Sequence, residues 1–587
     1  MKTLKSFLVA LLALAALPAY AQEIERSRTI SFNTIADLEL LDFDRFSDGA
    51  AIFIADEGRN GFWKKISTNE TALRTDDATK GVFIPDPDDA SGAQGGFIRE
   101  EFAKNRSLVN VRWFGAKGDF NTGTQTGTLD DNAFTAAKNV GTIVYVPDGN
   151  FRINGYSMVG AGSVLIGASP TTSILYIDSL TGCGVTMTSI VQRIENIAID
   201  ATTARYGDPN PDDGRDLTTN SGVCTQDLTT APGGAIGTRT QGVIKNAIIR
   251  YHPGEGIYCA CNMMRIEDSI INYNRRAGIR IDDGTGGGFT TKVRSGIVNL
   301  VKNLIVENGG PGVAIGEGTS TAYRVTMLNN ELFGNAWNYP DTGNVNTEIY
   351  LRAQNTLILG GAAGDPYFAN TLMSDGVTER LAKGAAGDAI ELNASSNSTE
   401  ISTFRYISVS RPIDDKGSTG LVVDQMYIEP ATTYGVYLAG TTGVDITMAS
   451  TAGYSTGPVT HTTADEVFGG KLRVGVNEYW LLGSSGTFHI NGKTTSTISA
   501  SSANIASTVT GFNPGAPTNL QSINFGGGSL QMPDGLILTF INESANAITL
   551  KDALTNVETP NNADFILGGG EMVTATTAGG KVWINGN

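Results

Sequence analysis

Three carboxylates and one arginine lie at a spacing that could support sugar chemistry: Arg280, Asp282, Asp283 and Glu317. Glycoside hydrolysis needs one protonated and one ionised carboxyl group, about 5–5.5 Å apart for retention of configuration or about 6.5–9.5 Å apart for inversion. If one turn of a repeating fold separates Glu317 from Asp282 or Asp283, the distance between the carboxyl groups could fall in either range. We therefore predict these four residues as candidate catalytic groups.

A polysaccharide lyase would use a different base. There, an arginine or lysine removes the proton next to a uronate carboxyl group, and Ca²⁺ or another arginine neutralises that carboxylate. Arg280 and Arg352 are the candidates for this base. The sequence does not separate a lyase from a hydrolase.

Four further residues are predicted to bind a sugar chain: Tyr258, Tyr350, Arg352 and Glu391. Aromatic rings stack on the C–H faces of sugars, and charged or amide groups satisfy the hydroxyls. Two other interpretations stay open. The surface is either a binding groove without chemistry or a solvated face whose ion pairs contribute little energy.

Repeated segments indicate the elements that position these residues. They read KNAIIRYHPGEGIYCA, EDSIINYNRRAGIRIDD, KNLIVENGGPGVAIGEG and, more loosely, NNELFGNAWN, and they begin at residues 245, 267, 302 and 329. Their separations are 22, 35 and 27 residues, and the excess over about 22 falls in segments rich in Gly and Thr. Such a period predicts a solenoid with insertions as loops on one face.

Apolar residues alternate in the last strand of each repeat. Ile279 and Ile281 are predicted to point inward and Arg280 outward. Because stacked coils align equivalent positions, two outward columns follow, and a slip of one residue would reverse them. The predicted columns are Tyr258, Arg280, Ala314, Tyr350, Glu391 and Tyr437, and then Ala260, Asp282, Gly316, Arg352, Asn393 and Ala439.

A strand, a short helix and another strand are predicted where the solenoid begins. The segments are VNVRWFGAKGD from Val109, LDDNAFTAA from Leu129 and GTIVYVPDGNF from Gly141, and Asp130 or Asp131 is expected to cap the helix. This order resembles the first segment of pectate-lyase-like right-handed β-helices, especially phage tailspikes and related polysaccharide depolymerases. The resemblance implies the fold, and the tailspike likeness implies a homotrimer.

The polygalacturonase branch of that fold carries NTD-like, DD, GHG and RIK segments on successive coils. This chain has the isolated pair Asp282-Asp283 and a distant likeness at Asn346-Thr347-Glu348, without GHG or RIK. No catalytic residue is carried over from that branch.

The N-terminus predicts export. Lys2 and Lys5 precede the apolar run from Phe7 to Leu17, and Ala19-Tyr20-Ala21 then provides small residues for cleavage. A secreted, extracellular, cell-surface or periplasmic location is expected. A net charge of −17 makes nucleic acid and anionic membranes poor partners, and no second apolar run predicts membrane insertion.

The predicted fold is all-β. Its parts are a signal peptide at 1–21, an N-terminal β-rich head and linker at 22–104, a right-handed parallel β-helix at 105–470 and a C-terminal β-sandwich at 471–587. The C-terminal part is similar to modules of phage tail fibres.

No metal site is predicted with a clear ligand set. Acidic and amide side chains in one long insertion make Ca²⁺ a candidate there, although a solvated acidic loop is the alternative; they are Asp208, Asn210, Asp212, Asp213 and Asp216. Cys259 and Cys261 are interpreted as buried hydrophobic residues. A disulfide involving Cys183 or Cys224 stays open.

Two functions follow from these observations. The first is a secreted polysaccharide-degrading enzyme, a glycosidase or a lyase, with a groove along the β-helix. The second is a fibre or adhesin that binds surface glycans and cleaves nothing. A purely structural surface protein is a third alternative.

Overall fold

In the computed structural model the 587-residue chain forms two compact units, residues 1–210 with 219–251 and residues 211–218 with 252–587. Nearly all of the regular structure is β-strand, and long sheets are parallel, which confirms the predicted fold class. The structure describes residues 30–56, 58–178, 183–202, 221–226, 241–260, 263–281, 296–316, 324–336, 347–364, 388–407, 411–428, 432–438, 445–448, 454–461, 470–474, 477–482, 486–496, 498–499, 502–505, 507–514, 516–520, 522–525, 537–551, 557–560, 563–578 and 581–585.

The first unit begins with a β-rich head built on a five-stranded sheet. Trp63 and Phe97 lie in its core. Arg99 is buried against the rings of Trp63 and Trp113 and donates hydrogen bonds to three backbone carbonyl groups. The head contains strands Ile30–Phe32, Ala51–Ile54, Gly61–Ile66, Phe83–Pro85 and Gly96–Arg99, helices Ile35–Glu39, Thr71–Asp76 and Glu100–Lys104, and a 3-10 turn at Phe43–Arg45.

The rest of the first unit is a set of coils whose strands form parallel ladders on three faces. It starts with strand Leu108–Asn110, a 3-10 turn at Val111–Phe114 and helix Asp131–Val140. The three ladders are Ile143–Val146, Val164–Gly167, Gln192–Glu195 and Gln241–Lys245; then Gly149–Ile153, Ser173–Ile177, Ala198–Ala201 and Ile248–Arg250; and last Tyr156–Ser157, Val185–Met187 and Val223–Gln226.

The expected capping of the helix is wrong. The helix that begins at Asp131 has no side-chain hydrogen bond at its N-cap. The carboxylate of Asp130 accepts instead from the backbone N–H groups of Lys117 at 2.7 Å and Gly118 at 3.2 Å. Asp131 accepts from the backbone N–H of Asn154 at 2.8 Å. Through these hydrogen bonds, both aspartates hold neighbouring chain segments next to the start of the helix.

Two of the cysteine interpretations can be assessed. Cys183 and Cys224 form a disulfide with Cα atoms 5.9 Å apart. Cys259 is fully buried and faces inward beside Ile281, as predicted. It is disulfide-bonded, however, so its interpretation as a simple buried hydrophobic residue is wrong. Cys261 lies outside the described residues.

The coils of the second unit present three faces. Face A consists of Ile257–Ala260, Ile279–Ile281, Val313–Ile315, Thr347–Leu351, Asp388–Leu392, Arg411–Asp415, Thr432–Leu438 and Tyr454–His461. Face B consists of Met263–Glu267, Ile297–Val301, Arg324–Phe333, Gln354–Gly364, Asn397–Ser402, Thr419–Ile428, Asp445–Met448 and Gly470–Val474. Face C consists of Ile270–Asn272, Leu304–Val306, Arg405–Ile407 and the ends of the three longest face B strands.

A ladder of buried asparagines holds these coils in register. The Oδ1 atom of Asn308 accepts from the backbone N–H of Asn274 at 3.1 Å, and Asn335 accepts from Asn308 in the same way at 3.0 Å. The carboxylate of Glu348 ends the ladder by accepting from Asn335. The backbone N–H of the buried His252 donates to Oδ1 of Asn274.

The ladder requires the glycine that precedes each of the strands Ile257–Ala260, Ile279–Ile281 and Val313–Ile315. A Cβ atom at Gly278 would lie 2.7 Å from the side chain of Ile305 and 2.8 Å from Nδ2 of Asn308.

The start-to-start spacing of the repeats needs one correction. Asp268 and Lys302 occupy equivalent positions, because their preceding residues Glu267 and Val301 pair, so this coil is 34 residues long and not 35.

A β-sandwich core lies near the C-terminus, as predicted. Its buried cluster includes Phe512, Leu538, Phe540 and Val582. The strands are Asn477–Leu482, Gly486–Ser496, Ile498–Ser499, Ser502–Ile505, Ser507–Phe512, Thr518–Leu520, Ser522–Phe525, Ile537–Asn542, Ile548–Leu550, Val557–Glu558, Phe565–Leu567, Met572–Ala578 and Lys581–Asn585. The domain boundaries at residues 104 and 470 stay predictions.

Candidate functional site

The outward column of face A has the predicted register. Strand pairing aligns Ile279, Ile390 and Val436 as inward residues and the residues that follow them as outward ones. The observed column is Tyr258, Arg280, Ala314, Tyr350, Glu391, Asp414 and Tyr437. All six predicted positions are therefore confirmed in order, and Asp414 is an additional member.

A second column follows two residues later. The backbone N–H of Arg352 donates to the carbonyl of Ile315, and the N–H groups of Asn393 and Lys416 donate to the coil before them in the same way. Gly316, Arg352 and Asn393 are thus in the predicted order, and Lys416 is the next member. Asp282 and Ala439, also placed in this column, lie outside the described residues.

Sequence reasoning missed the coil of strand Arg411–Asp415, which lies between two coils that carry predicted residues. Its segment RPIDDKG has a proline where several other repeats have glycine, and two aspartates interrupt the apolar alternation. The signal that could have found it is spacing. Ile390 and Val436 are 46 residues apart, which is two coils of 23, and Ile413 lies at the midpoint.

The missing coil completes a group of three carboxylates. Asp388, Glu391 and Asp414 each offer an oxygen atom, and these atoms lie within 4.8 Å of one another. Glu391 and Asp414 are directly paired across neighbouring strands, whereas Asp388 begins the strand that carries Glu391. All three side chains are buried, with exposures of 3%, 6% and 0% respectively.

Lys416 supplies positive charge at one edge of this group. Its Nζ atom lies 2.6 Å from Oδ2 of Asp414, and its side chain is 40% exposed. The same ammonium lies 5.9 Å from the ring centroid of Tyr437, which is half-buried. Asp414 therefore has a cation beside it, and the lysine and tyrosine form a rim that solvent can reach.

Tyr350 closes the other side of the carboxylate group. Its ring packs against Ala277 and Ala314, whose small side chains leave space along the column. Its hydroxyl oxygen accepts a hydrogen bond from Nδ2 of Asn393 at 3.1 Å. Because only 7% of Tyr350 is exposed, its ring offers little surface to a ligand and serves mainly to pack against the neighbouring residues of the site.

Asp415 differs from its neighbour Asp414. Its carboxylate accepts from the backbone N–H groups of Gly417 at 3.0 Å and Ser418 at 2.7 Å, and from the Ser418 hydroxyl at 2.6 Å. It stabilises the turn after the strand. Of this aspartate pair, Asp414 is the one placed for chemistry.

The residues predicted from sequence fall into three groups. Glu391 belongs to the carboxylate group, and Tyr350 and Arg352 lie beside it. Arg280 and Tyr258 lie farther along face A: the Arg280 guanidinium is 3.7 Å from the buried carboxylate of Glu255, and Tyr258 is fully buried. The candidate catalytic residues Asp282, Asp283 and Glu317, and the calcium candidates between 208 and 216, lie outside the described residues.

This arrangement allows acid–base chemistry. Two carboxyl groups pair directly across neighbouring strands, and the Lys416 ammonium lies beside that of Asp414. The same oxygens suit a hard cation such as Ca²⁺. Within the described part of the chain, Asp388, Glu391 and Asp414 are the group with the spacing to hold a metal ion.

No helix among the described residues is long and apolar enough to cross a membrane. Neither a family model nor a curated protein matches the chain.

Solved structures provide matches. The chain is similar to full-length tailspike protein 2 of an Escherichia coli O157:H7 bacteriophage, with 14% identity and a TM-score of 0.51 over 73% of this chain and 53% of the tailspike. It thus spans about half the length of that protein. An Acinetobacter phage tailspike gives 9% identity and a TM-score of 0.49 over 94% of this chain and 90% of that one.

The A-module of a mannuronan C-5 epimerase from Azotobacter vinelandii is 16% identical, with a TM-score of 0.37 over 62% of this chain and 98% of the module. The likeness to tailspike protein 2 establishes the fold, a right-handed parallel β-helix. It does not assign an activity, because fold and function are separable.

Proposed function

We propose that this protein is a secreted polysaccharide-degrading enzyme that hydrolyses glycosidic bonds on face A, with Glu391 and Asp414 as its two working carboxyl groups. The observation that carries the proposal is the direct pairing of these residues within a group of three carboxylates. A parallel β-helix with such a pair and an aromatic and amide rim offers both parts of a glycosidase site, acid–base groups and hydroxyl partners.

The two carboxyl groups take different roles. Asp414, with the Lys416 ammonium 2.6 Å away, is the ionised group and attacks the anomeric carbon. Glu391 donates its proton to the glycosidic oxygen as the bond to that carbon breaks. Glu391, now ionised, then removes a proton from water, which displaces Asp414 and restores both groups.

The surrounding residues orient the sugar. Tyr437 presents a half-buried ring, and Asn393 and Arg352 present amide and guanidinium groups from the second column. Asp388 places a third carboxyl group close to Glu391.

The test is incubation of the purified chain with neutral polysaccharides, such as glucans and galactomannans, and with uronate polymers, such as polygalacturonate and alginate. Reducing ends should form without the ultraviolet absorbance of unsaturated uronates. Glu391→Gln and Asp414→Asn should each lower kcat by about 10²–10⁴-fold. Asp424→Asn, which alters an exposed carboxylate on face B, is the matched control.

Full activity in both site variants contradicts the proposed residues. Reducing ends together with rising absorbance indicate a lyase. In that case the three carboxylates are better assigned to Ca²⁺, and chelation should abolish activity.

A glycan-binding fibre or adhesin that cleaves nothing is the second candidate function. The burial of all three carboxylates supports it, since reacting groups must be reached by substrate. Binding to glycans without release of product would favour this function over hydrolysis.

Export and trimer formation are parts of the same proposal. The leader at residues 1–21 and the disulfide between Cys183 and Cys224 both suit an oxidising, extracytoplasmic location. The homotrimer rests on the tailspike resemblance. Cell fractionation and the mass of the purified protein in solution test the two points.

A further inference from the structure

A depression of about 360 Å³ lies on face B, away from the carboxylate group of face A. Two adjacent outward columns from three successive coils line it. The first column contributes Arg324, Asn355 and Ser398, and the second contributes Thr326, Leu357 and Glu400. Its volume is at the lower end of the range for small-ligand sites.

The lining is mixed in a way that suits a sugar. A guanidinium and an amide can donate hydrogen bonds, a carboxylate can accept them, and two hydroxyls can do both. Leu357 adds a half-buried apolar surface between them. Since Arg324 and Glu400 carry opposite charges, the depression has no net charge and favours a neutral ligand.

The two charged groups are not used by the fold. Among the described residues, neither Arg324 nor Glu400 takes part in an ion pair or a side-chain hydrogen bond, and both are exposed. Arg324 and Glu400 lie two coils apart, in different columns of the depression, and exposed charged side chains at its two sides can contact a ligand between them.

The backbone shapes the floor. Asn355 and Ser398 have left-handed conformations, with φ of 54° and 51°, at the same register position of neighbouring strands. Left-handed residues also recur at the ends of other strands of the solenoid, as at the aligned positions Asp268, Lys302 and Asn329, so the conformation marks a corner of the coil. It makes the two coils bend together where Asn355 and Ser398 line the depression.

We propose that this depression is a non-catalytic site that holds a mono- or disaccharide segment of a neutral polysaccharide. The inference rests on the proposed function in taking that polymer to be the one acted on at face A. A chain held on face B would keep the enzyme on its polymer between cleavage events, and short substrates would not need it.

The experiment measures binding separately from cleavage. In a Glu391→Gln background, calorimetry with glucan and galactomannan should show affinity for one polymer. Adding Arg324→Ala and Glu400→Gln should weaken that affinity by about tenfold or more. With Glu391 intact, the same two substitutions should raise KM for the polymer and leave kcat on short oligosaccharides unchanged. Arg405→Ala, an exposed arginine on face C, is the matched control.

Wild-type affinity in the Arg324 and Glu400 variant overturns the inference, as does the absence of binding to every polymer tested. The two proposals fail separately. Binding through Arg324 and Glu400 without any cleavage contradicts the proposed hydrolase and supports the face B site. Cleavage that depends on Glu391, together with unchanged binding in the face B variant, supports the hydrolase and contradicts the face B site.

Discussion

Glu391 and Asp414 occupy the same outward position on neighbouring strands of face A, and their carboxylate oxygens lie within 4.8 Å of each other. Oxygens no more than 4.8 Å apart fit the spacing of about 5–5.5 Å in retaining glycosidases better than the about 6.5–9.5 Å of inverting ones. The pair therefore favours a covalent intermediate on Asp414.

Retention of configuration is the expected stereochemical result. Proton NMR of a hydrolysis reaction should show first the product anomer that matches the substrate linkage, before mutarotation mixes the two. The opposite anomer as first product would contradict the assignment of Asp414 as nucleophile, even if both carboxylates proved essential.

Lys416 is expected to support both stability and activity. Asp414 is fully buried, and the Lys416→Met substitution would remove the ammonium group beside it. Because the lysine is partly exposed, we expect a loss of about 1–2 kcal/mol in the free energy of unfolding, together with a kcat at least about tenfold lower.

Lys416→Arg should restore most of both properties. Lys104→Met is the comparison variant, since Lys104 pairs with Glu100 on an exposed helix surface, where a change below about 0.5 kcal/mol is expected. Equal effects of the two methionine variants would show that the Lys416 contact is no more than a surface ion pair.

The register of face A could be predicted from the sequence because apolar residues alternate in most of its strands and a glycine precedes several of them. Gly278 and Ile279 mark one strand, and the asparagine ladder beside them explains why glycine is needed. The strand at Ile413 lacks both signals, since Pro412 precedes it and two aspartates follow. That loss hid Asp414 and Lys416.

Burial was beyond the reach of the sequence pattern. Alternation tells which side of a strand a residue faces, but it does not tell what covers that side. Tyr258 and Tyr350 both face outward, as predicted, and both are buried. The burial of these tyrosines depends on the strands that pair with theirs and, for Tyr350, on the small residues next to it. Such contacts join distant parts of the chain.

Loss of one ladder asparagine should destabilise the second unit strongly. Nδ2 of Asn308 donates to the carbonyls of Ile271 and Val306 and to Oδ1 of Asn335, and its Oδ1 atom accepts from Asn274. Asn308→Ala leaves several buried groups without partners and should cost about 3–5 kcal/mol. Chemical denaturation measures the change.

Asn299→Ala changes a half-buried asparagine on the outer side of face B and should cost less than about 1 kcal/mol. Similar costs for both variants would mean that the ladder does not carry the stability assigned to it.

Thr399 offers an opposite test, in which removal of a polar group should stabilise the protein. Its hydroxyl is buried inside the coils and has no hydrogen-bond partner among the described residues. Thr399→Val removes this cost and should raise the free energy of unfolding by about 1 kcal/mol. The hydroxyl of Thr347 is also buried but donates to the carbonyls of Ile349 and Ala389. Thr347→Val should therefore lower stability by a similar amount, and a loss in both variants would contradict the argument.

Asp200 in the first unit should make stability depend on pH. Burial raises the pKa of its carboxyl group from 3.8 to about 6, and the hydrogen bonds from Arg250 oppose that shift without cancelling it. Between these two values the folded protein binds more protons than the unfolded chain, so stability falls as pH rises through this window. A shift of about two pKa units corresponds to about 3 kcal/mol.

Asp200→Asn removes this titration and leaves a neutral side chain of similar shape. The free energy of unfolding of the wild type, minus that of the variant, should decrease by up to about 3 kcal/mol between pH 3.8 and 6 and stay level above that. Urea denaturation at a series of pH values measures the difference. A difference that instead increases with pH would mean that Arg250 lowers the pKa of Asp200 below its ordinary value, because a depressed carboxyl pKa gives the opposite slope.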